Sequence, residues 1–444
     1  MKEKLPLIIL LVLALATRFV FLDYPSEVVF DEVHFGKFVS AYFNHQYYFD
    51  IHPPLGKLMI AGFSSLLGFQ PGQAFGQIGE QANARQLFVL RFLPALFGAL
   101  LPLVFYAIVR VLGGSKKAAF LAGFLIIFDN AFLIESKFIL VDNFLFLFGF
   151  LSIFIFLLSQ KQENRLKKHL FYFLSMALAG LAFSIKWTGL SFLGIILLFS
   201  LFSFLKNINF KRLLKFFAEV VVSLALVVVI YILPFAIHFK LLYLSGPGNA
   251  FMTPDFQKTL VGSNVSQETK HMSFWDKLVE LNEKMYFYNT GLKKDHPDAS
   301  KWHEWPLMKK PVWYWSKDKV ANIYLFGNPL AWLPAFLSLF LGFFVLKKKR
   351  WVVFFLITGF LANLLPFIMV SRIAFLYHYL PALAFAVILL SVFLDGFMEK
   401  HASFFYFYLG MAVLVFLAIS PLSYGFPLNI KAASIYQLMI SLFH

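Results

Sequence analysis

Cysteine is missing from all 444 residues. Disulfide scaffolds, thiolate metal sites and thiol nucleophiles are therefore excluded. Charge is scarce as well, at 14% of residues, against about a quarter in soluble domains. Acids are the rarer sign, 23 Asp and Glu against 39 Lys and Arg. There is no tandem repeat, low-complexity tract or separate polar domain, and disorder, collagen and coiled coil find no support. What fills the chain is apolar: 60% hydrophobic residues and a mean hydropathy of +0.75. A water-soluble fold of this length would have nowhere to hide that surface. The composition specifies a polytopic membrane protein.

A helical span needs about 20 mostly apolar residues. Eleven stretches qualify, which makes the expected fold all-α: 5–22, 87–109, 118–134, 138–158, 169–184, 188–205, 213–238, 322–346, 351–370, 374–394 and 403–421. The third and fifth are short and are expected to be tilted or irregular. The first is read as a retained span, because no small-residue cleavage site precedes the polar segment after it. Lys and Arg cluster at 2–4, 110–117, 161–168, 206–215 and 347–350, with Lys400. The short connections on the opposite side hold only Lys137, Lys186 and Arg372. The positive-inside bias predicts a cytoplasmic N-terminus, and long segments cross regardless of their charge. Two long polar segments, 23–86 and 239–321, then lie outside. The bias also accounts for the net charge of +16 without a nucleic-acid partner. The chain divides into a module over 1–238 that includes 23–86, a long outer loop over 239–321, and a four-helix region with its tail over 322–444. Any chemistry faces outward.

The first outer segment opens with Asp31-Glu32-Val33-His34 just past the first span. Adjacent residues cannot share one helix face, so the two carboxylates are expected to meet different partners. A carboxylate partly desolvated at the membrane boundary gains basicity and can deprotonate a hydroxyl. Asp50-Ile51-His52-Pro53-Pro54-Leu55-Gly56-Lys57 follows, with Lys57 starting an apolar stretch suited to an interfacial helix. Arg91 lies inside the second span, where an unpaired cation is costly, so it should face the bundle. The tract Trp302, Trp305, Trp313, Tyr314, Trp315 reads as an interfacial aromatic belt. Asn264-Val265-Ser266 fits a glycosylation acceptor pattern of little weight.

Taken together, these segments resemble the dolichyl-phosphate-mannose–protein mannosyltransferases. The resemblance rests on Phe30–Lys37 and Tyr48–Lys57, on Arg91–Gly98, on Asp129-Asn130 with Ser136–Asp142, and on Ser184–Leu190. It continues through Ser245–Met252, His296–Trp302 with Trp305-Pro306, and Phe375–Leu383, in the family's order. It implies a glycosyltransferase C (GT-C) fold and inverting transfer of mannose from a polyprenyl-phosphate-mannose lipid to Ser or Thr of polypeptides. By carry-over Asp31 is the catalytic base, and Glu32 and Asp142 bind the acceptor. Arg91, Lys186, Arg372, His378 and His52 then hold the donor's phosphate and sugar. The eukaryotic enzymes carry a soluble β-trefoil-type domain in the long loop, and about 80 residues here leave no room for it. A bacterial version in the cytoplasmic membrane is the expectation.

Asp129, Glu135 and Asp142, with Asp31, are the hard-oxygen groups that Mg²⁺ or Mn²⁺ would need. Their spacing shows no tight ligand motif. No metal is expected, and Asp142 and Glu135 are expected to pair with Arg91 or to shape the acceptor groove. Assembly into an oligomer is left open. One alternative keeps the donor but changes the acceptor to a lipid or cell-envelope polymer. A transporter or flippase would instead place charges at the bilayer midplane within inverted repeats, whereas these charges crowd at one face.

Overall fold

The computed structural model describes residues 4–265, 272–291, 296–370 and 372–444. Lys2 of the first basic cluster and Ser266 of the Asn264 pattern lie outside the described residues. In chain order the helices are α1 (Leu5–Phe19), α2 (Glu32–Asn44), α3 (Leu55–Leu66), α4 (Ala84–Val111), α5 (Lys116–Ile127) and α6 (Asn130–Lys137). They continue with α7 (Asp142–Gln160), α8 (Arg165–Ile185), α9 (Leu190–Leu205), α10 (Phe210–Leu241), α11 (Pro254–Gln257) and α12 (Phe274–Gly291). After the strands β1 (Val312–Lys317) and β2 (Ala321–Leu325) come α13 (Pro329–Val345), α14 (Arg350–Leu364), α15 (Pro366–Met369), α16 (Leu380–Lys400), α17 (Ala402–Tyr424) and α18 (Ile430–Ser441).

Eight described helices are long and apolar enough to cross a membrane, or nine where the bent pair α5–α6 counts as one span. The shorter apolar helices α1 and α13 account for the remaining two expected stretches. The irregularity expected of the third is a 58° bend between α5 and α6. Asp129 causes it: inside the apolar run its carboxylate caps α6 by accepting from the Ala131 and Phe132 N–H groups, at 3.0 and 3.1 Å. Its other oxygen accepts from the Asn328 N–H (2.9 Å) and Trp332 Nε1 (2.7 Å) at the start of α13. The carbonyls orphaned where helices end are taken by buried cations. Arg18 donates to the Ile126 and Ile127 carbonyls (2.8 and 2.7 Å), and Lys137 to those of Val20 and Phe21 (2.9 and 2.8 Å). Helices α4, α7 and α16 are the most enclosed spans, whereas α10 and α17 present most of their surface outward.

Two expectations are corrected. The eighth stretch does not start at residue 322, because 321–325 is β2, paired antiparallel with β1. Alternation puts Ile323 and Leu325 inward, which reads in sequence as the start of an apolar span. This hairpin also departs from an all-helical fold. The aromatic belt fails too: Trp305, Tyr314 and Trp315 are 0%, 0% and 1% exposed. Their polar atoms have internal partners, Trp305 Nε1 on Ser300 Oγ (2.9 Å) and Trp315 Nε1 on Glu27 Oε2 (2.8 Å). The first long segment forms α2 and α3, packed on each other, with α3 also against α4, α8 and α10.

Candidate active site

Where the long segments meet the bundle, a cavity of about 470 Å³ opens. Asp31, His52, Asp142, Lys186, Arg372 and His378 all line it, so six of the eight predicted site residues converge. They arrive from separate elements: Asp31 before α2, His52 before α3, Asp142 at the start of α7, Lys186 in the break between α8 and α9, and Arg372 and His378 between α15 and α16.

Asp31 occupies the N-cap of α2 yet makes no capping hydrogen bond, which leaves its carboxylate to the cavity. The residue before it, Phe30, sits in the left-handed region at φ 45°, a strained state for a bulky side chain. Phe30 is held there by its N–H on the Tyr314 carbonyl (3.0 Å) and by stacking on the Tyr314 ring at 4.0 Å. Tyr314 is the extra residue of a bulge in β1, and its hydroxyl donates to Glu135 Oε1 at 2.6 Å. Desolvation raises the Asp31 pKa above the ordinary carboxylate range; His34 and Lys186 pull it down, while Asp142 and Asp50 push it up.

The cations are held in place. Lys186 Nζ donates to both oxygens of Asp142, at 2.9 and 2.7 Å. Arg372 Nη1 donates to Asn289 Oδ1 (2.6 Å), and Asn289 Nδ2 ties α12 to the Ile51 carbonyl (2.7 Å). Lys57 closes the turn by donating to Asp50 and to the His52 carbonyl. Burial first, then Lys186 and Arg372, push the His52 pKa far down, so its ring is neutral. Leu145, Phe146, Leu190, Phe367 and Val370 line the same cavity. Leu190 and Val370 are also exposed, 47% and 37%, so the cavity opens to the surface of the bundle beside them. The arrangement suits a ligand with an anionic head and a hydrocarbon tail.

Glu32 and Arg91 do not line the cavity. Both are fully buried and face each other, with Nε to Oε1 at 2.7 Å and Nη2 to Oε2 at 2.8 Å. Glu32 also accepts from the Val29 and Ile139 N–H groups (2.9 and 3.0 Å). Arg91 also donates to the carbonyls of Leu22, Pro25 and Glu27. Arg91 faces the bundle as expected, but its carboxylate partner is Glu32. Asp142 instead meets Lys186, and Glu135 meets Tyr314. Among the described residues no three His, Asp or Glu converge as a metal site would require. Sequence reasoning passed over Asn289, Tyr377 and the Ser191–Asn363 hydrogen bond (2.7 Å), all at the cavity. Polar residues inside apolar stretches were the available signal for the last pair.

The family model described as dolichyl-phosphate-mannose-protein mannosyltransferase matches residues 8–243. The model of the C-terminal four-helix transmembrane region of protein-O-mannosyltransferase matches 274–441. Protein O-mannosyltransferase 1 of Drosophila melanogaster is 34% identical over 267 residues, covering 58% of this chain and 30% of that protein. Dolichyl-phosphate-mannose–protein mannosyltransferase 4 of Saccharomyces cerevisiae is 30% identical over 282 residues, covering 60% and 37%. The chain thus spans about a third of the length of these curated relatives. Among solved structures, the S. cerevisiae Pmt1–Pmt2 complex bound to the sugar donor superposes with a TM-score of 0.90 at 21% identity, covering 98% of this chain and 92% of that one. ArnT from Cupriavidus metallidurans gives 0.58 at 16% identity, covering 99% and 69%. At these identities the structural likeness speaks for the fold.

Proposed function

The chain belongs to the dolichyl-phosphate-mannose-protein mannosyltransferase family, and from that premise we propose that it transfers mannose from a polyprenyl phosphate to Ser or Thr hydroxyls of polypeptides, inverting the anomeric carbon. The supporting observation is the uncapped carboxylate of Asp31 in a cavity it shares with Lys186 and Arg372. The acceptor O–H gives its proton to Asp31, and its oxygen forms the bond to the anomeric carbon. The bond from that carbon to the phosphate oxygen breaks, and its electron pair leaves on the polyprenyl phosphate. One displacement inverts the centre. Lys186 and Arg372 receive the charge that grows on the leaving phosphate. The raised Asp31 pKa makes the group a stronger base for the hydroxyl proton.

His52 and His378 are assigned to the sugar end of the donor, and Asp142 to the acceptor side. The apolar wall takes the first isoprene units. Glu32 and Arg91 are positioning residues, since Glu32 is anchored one residue beyond the base. The clustering of Lys and Arg at the opposite ends of the spans supports an outward-facing cavity in a bacterial cytoplasmic membrane.

Membranes bearing the protein, given radiolabelled polyprenyl-phosphate mannose and a Ser/Thr-rich peptide, should yield alkali-labile label on the peptide. Asp31→Asn should cut transfer by roughly 10²–10⁴-fold, the usual contribution of a general base, while donor binding persists. An active Asn variant removes Asp31 from the role of base. Label confined to lipid would transfer the reading to a lipid acceptor.

A further inference from the structure

The spans α7, α8 and α9 each run from the catalytic cavity to a second one of about 840 Å³. Asp142, at one end of α7, lines the first; Gln160, at the other, lines the second. At 1.5 Å per residue they lie about 27 Å apart, the thickness of a hydrocarbon core. The second cavity therefore sits at the opposite membrane boundary.

Its lining gathers Arg165 and Lys168 from the start of α8 with Lys206 just past α9 and Lys211, Arg212 and Lys215 from the start of α10. The single carboxylate in the lining is Glu219, which meets His169 at 3.3 Å and Lys215 at 3.7 Å. The other five cations make no ion pair among the described residues. A positive-inside bias needs only that cations be present at this end; it does not need them to converge on a concavity. Nor does it call for aromatic walls, which Tyr172 and the stacked pair Phe204–Phe216 (4.8 Å) supply here. Leu166, Ile208, Phe210 and Leu214 alternate with the basic residues in sequence and are exposed.

Cationic lining, an apolar rim and a position at the hydrocarbon boundary suit a phosphodiester headgroup whose acyl chains run along the spans. We infer that this cavity is a binding site for an anionic glycerophospholipid, separate from the donor site. Each basic residue near the surface contributes roughly fivefold to such binding, so neutralising three weakens it on the order of 100-fold.

The test uses the full chain in phosphatidylcholine nanodiscs with a rising fraction of phosphatidylglycerol, reading retained lipid by native mass spectrometry after extraction. The wild type should retain phosphatidylglycerol selectively. The triple variant Lys168→Gln/Lys211→Gln/Arg212→Gln should lose that selectivity and keep its thermal stability in phosphatidylcholine alone. Equal retention by both proteins overturns the site. Displacement of phosphatidylglycerol by glycerol phosphate as readily as by the lipid itself overturns the lipid assignment in favour of a free phosphate. If the triple variant does not fold, raised ionic strength must abolish selectivity in the wild type; selectivity that survives salt refutes the inference.

Discussion

Replacing Arg91 with Leu separates a structural cation from a donor ligand. The guanidinium is fully buried and makes two bonds to Glu32 and three to backbone carbonyls. Its loss leaves the Glu32 carboxylate buried with only the Val29 and Ile139 N–H groups. Breaking a buried pair from one side costs about 3–5 kcal/mol, and the stranded carbonyls add roughly 1 kcal/mol or more together. About 5 kcal/mol is a third or more of the stability of an ordinary domain, so Arg91→Leu should unfold at a much lower temperature in detergent. Replacing both partners with Leu removes the uncompensated charge, and near-isosteric apolar replacement of a buried pair is often neutral. The double variant should therefore regain much of the lost stability while remaining slow, with kcat reduced and the donor KM unchanged, because Asp31 has lost its anchored neighbour. Thermal unfolding, donor binding and transfer measured on the same preparations decide it. A single variant that melts like the wild type but binds donor weakly would show that Arg91 holds the donor.

Transfer should depend on pH through Asp31. Its folded pKa is raised, so the ionised base appears only above the ordinary carboxylate range, and the acid limb of kcat/KM should lie above about 4. Burying this group favours its protonated form, so the Asp31 contribution to stability is present at low pH and is lost as pH rises through the folded pKa. Lys186→Met removes a cation that lowers the Asp31 pKa and should move the acid limb upward; a limb that stays put disconnects the two groups. The same variant should weaken donor binding by roughly 10–100-fold, the worth of a charge-assisted bond, and unchanged donor affinity would return Lys186 to a structural role. Asp129→Ala strands four buried N–H donors and should cost about 4 kcal/mol or more; a loss below 1 kcal/mol in thermal unfolding would refute Asp129 as the anchor of the bend.

Much of the fold was legible because a bilayer allows few solutions, and every apolar stretch named from the sequence contains a helix. The hairpin was not, since Ala321–Leu325 is apolar enough to blend into the helix after it. Five of the six cavity residues could be proposed because they lie in segments that resemble the family's, and Arg372 because it is a cation in a short outer connection. Their partners could not be. Glu32 and Arg91 are 59 positions apart, Lys186 and Asp142 are 44, and Tyr314 and Glu135 are 179. Burial of a cation can be inferred from its place in an apolar run, but which carboxylate it meets depends on packing between helices. The tryptophans of 302–315 misled for a related reason: an indole at an interface and an indole donating to a buried oxygen have the same sequence signature.

The bulge at Tyr314 ties the backbone beside Asp31 to a stretch of chain made nearly 300 residues later. Until β1 has been synthesised, Phe30 lacks both the carbonyl and the ring that hold its backbone in the left-handed state. A truncated chain ending before the hairpin would contain Asp31, Asp142 and Lys186 but lose Arg372 and His378 along with the hairpin, and should be inert. Supplying 274–444 as a second polypeptide should restore turnover only where the hairpin docks, so complementation between the two fragments would report on assembly of the catalytic centre itself.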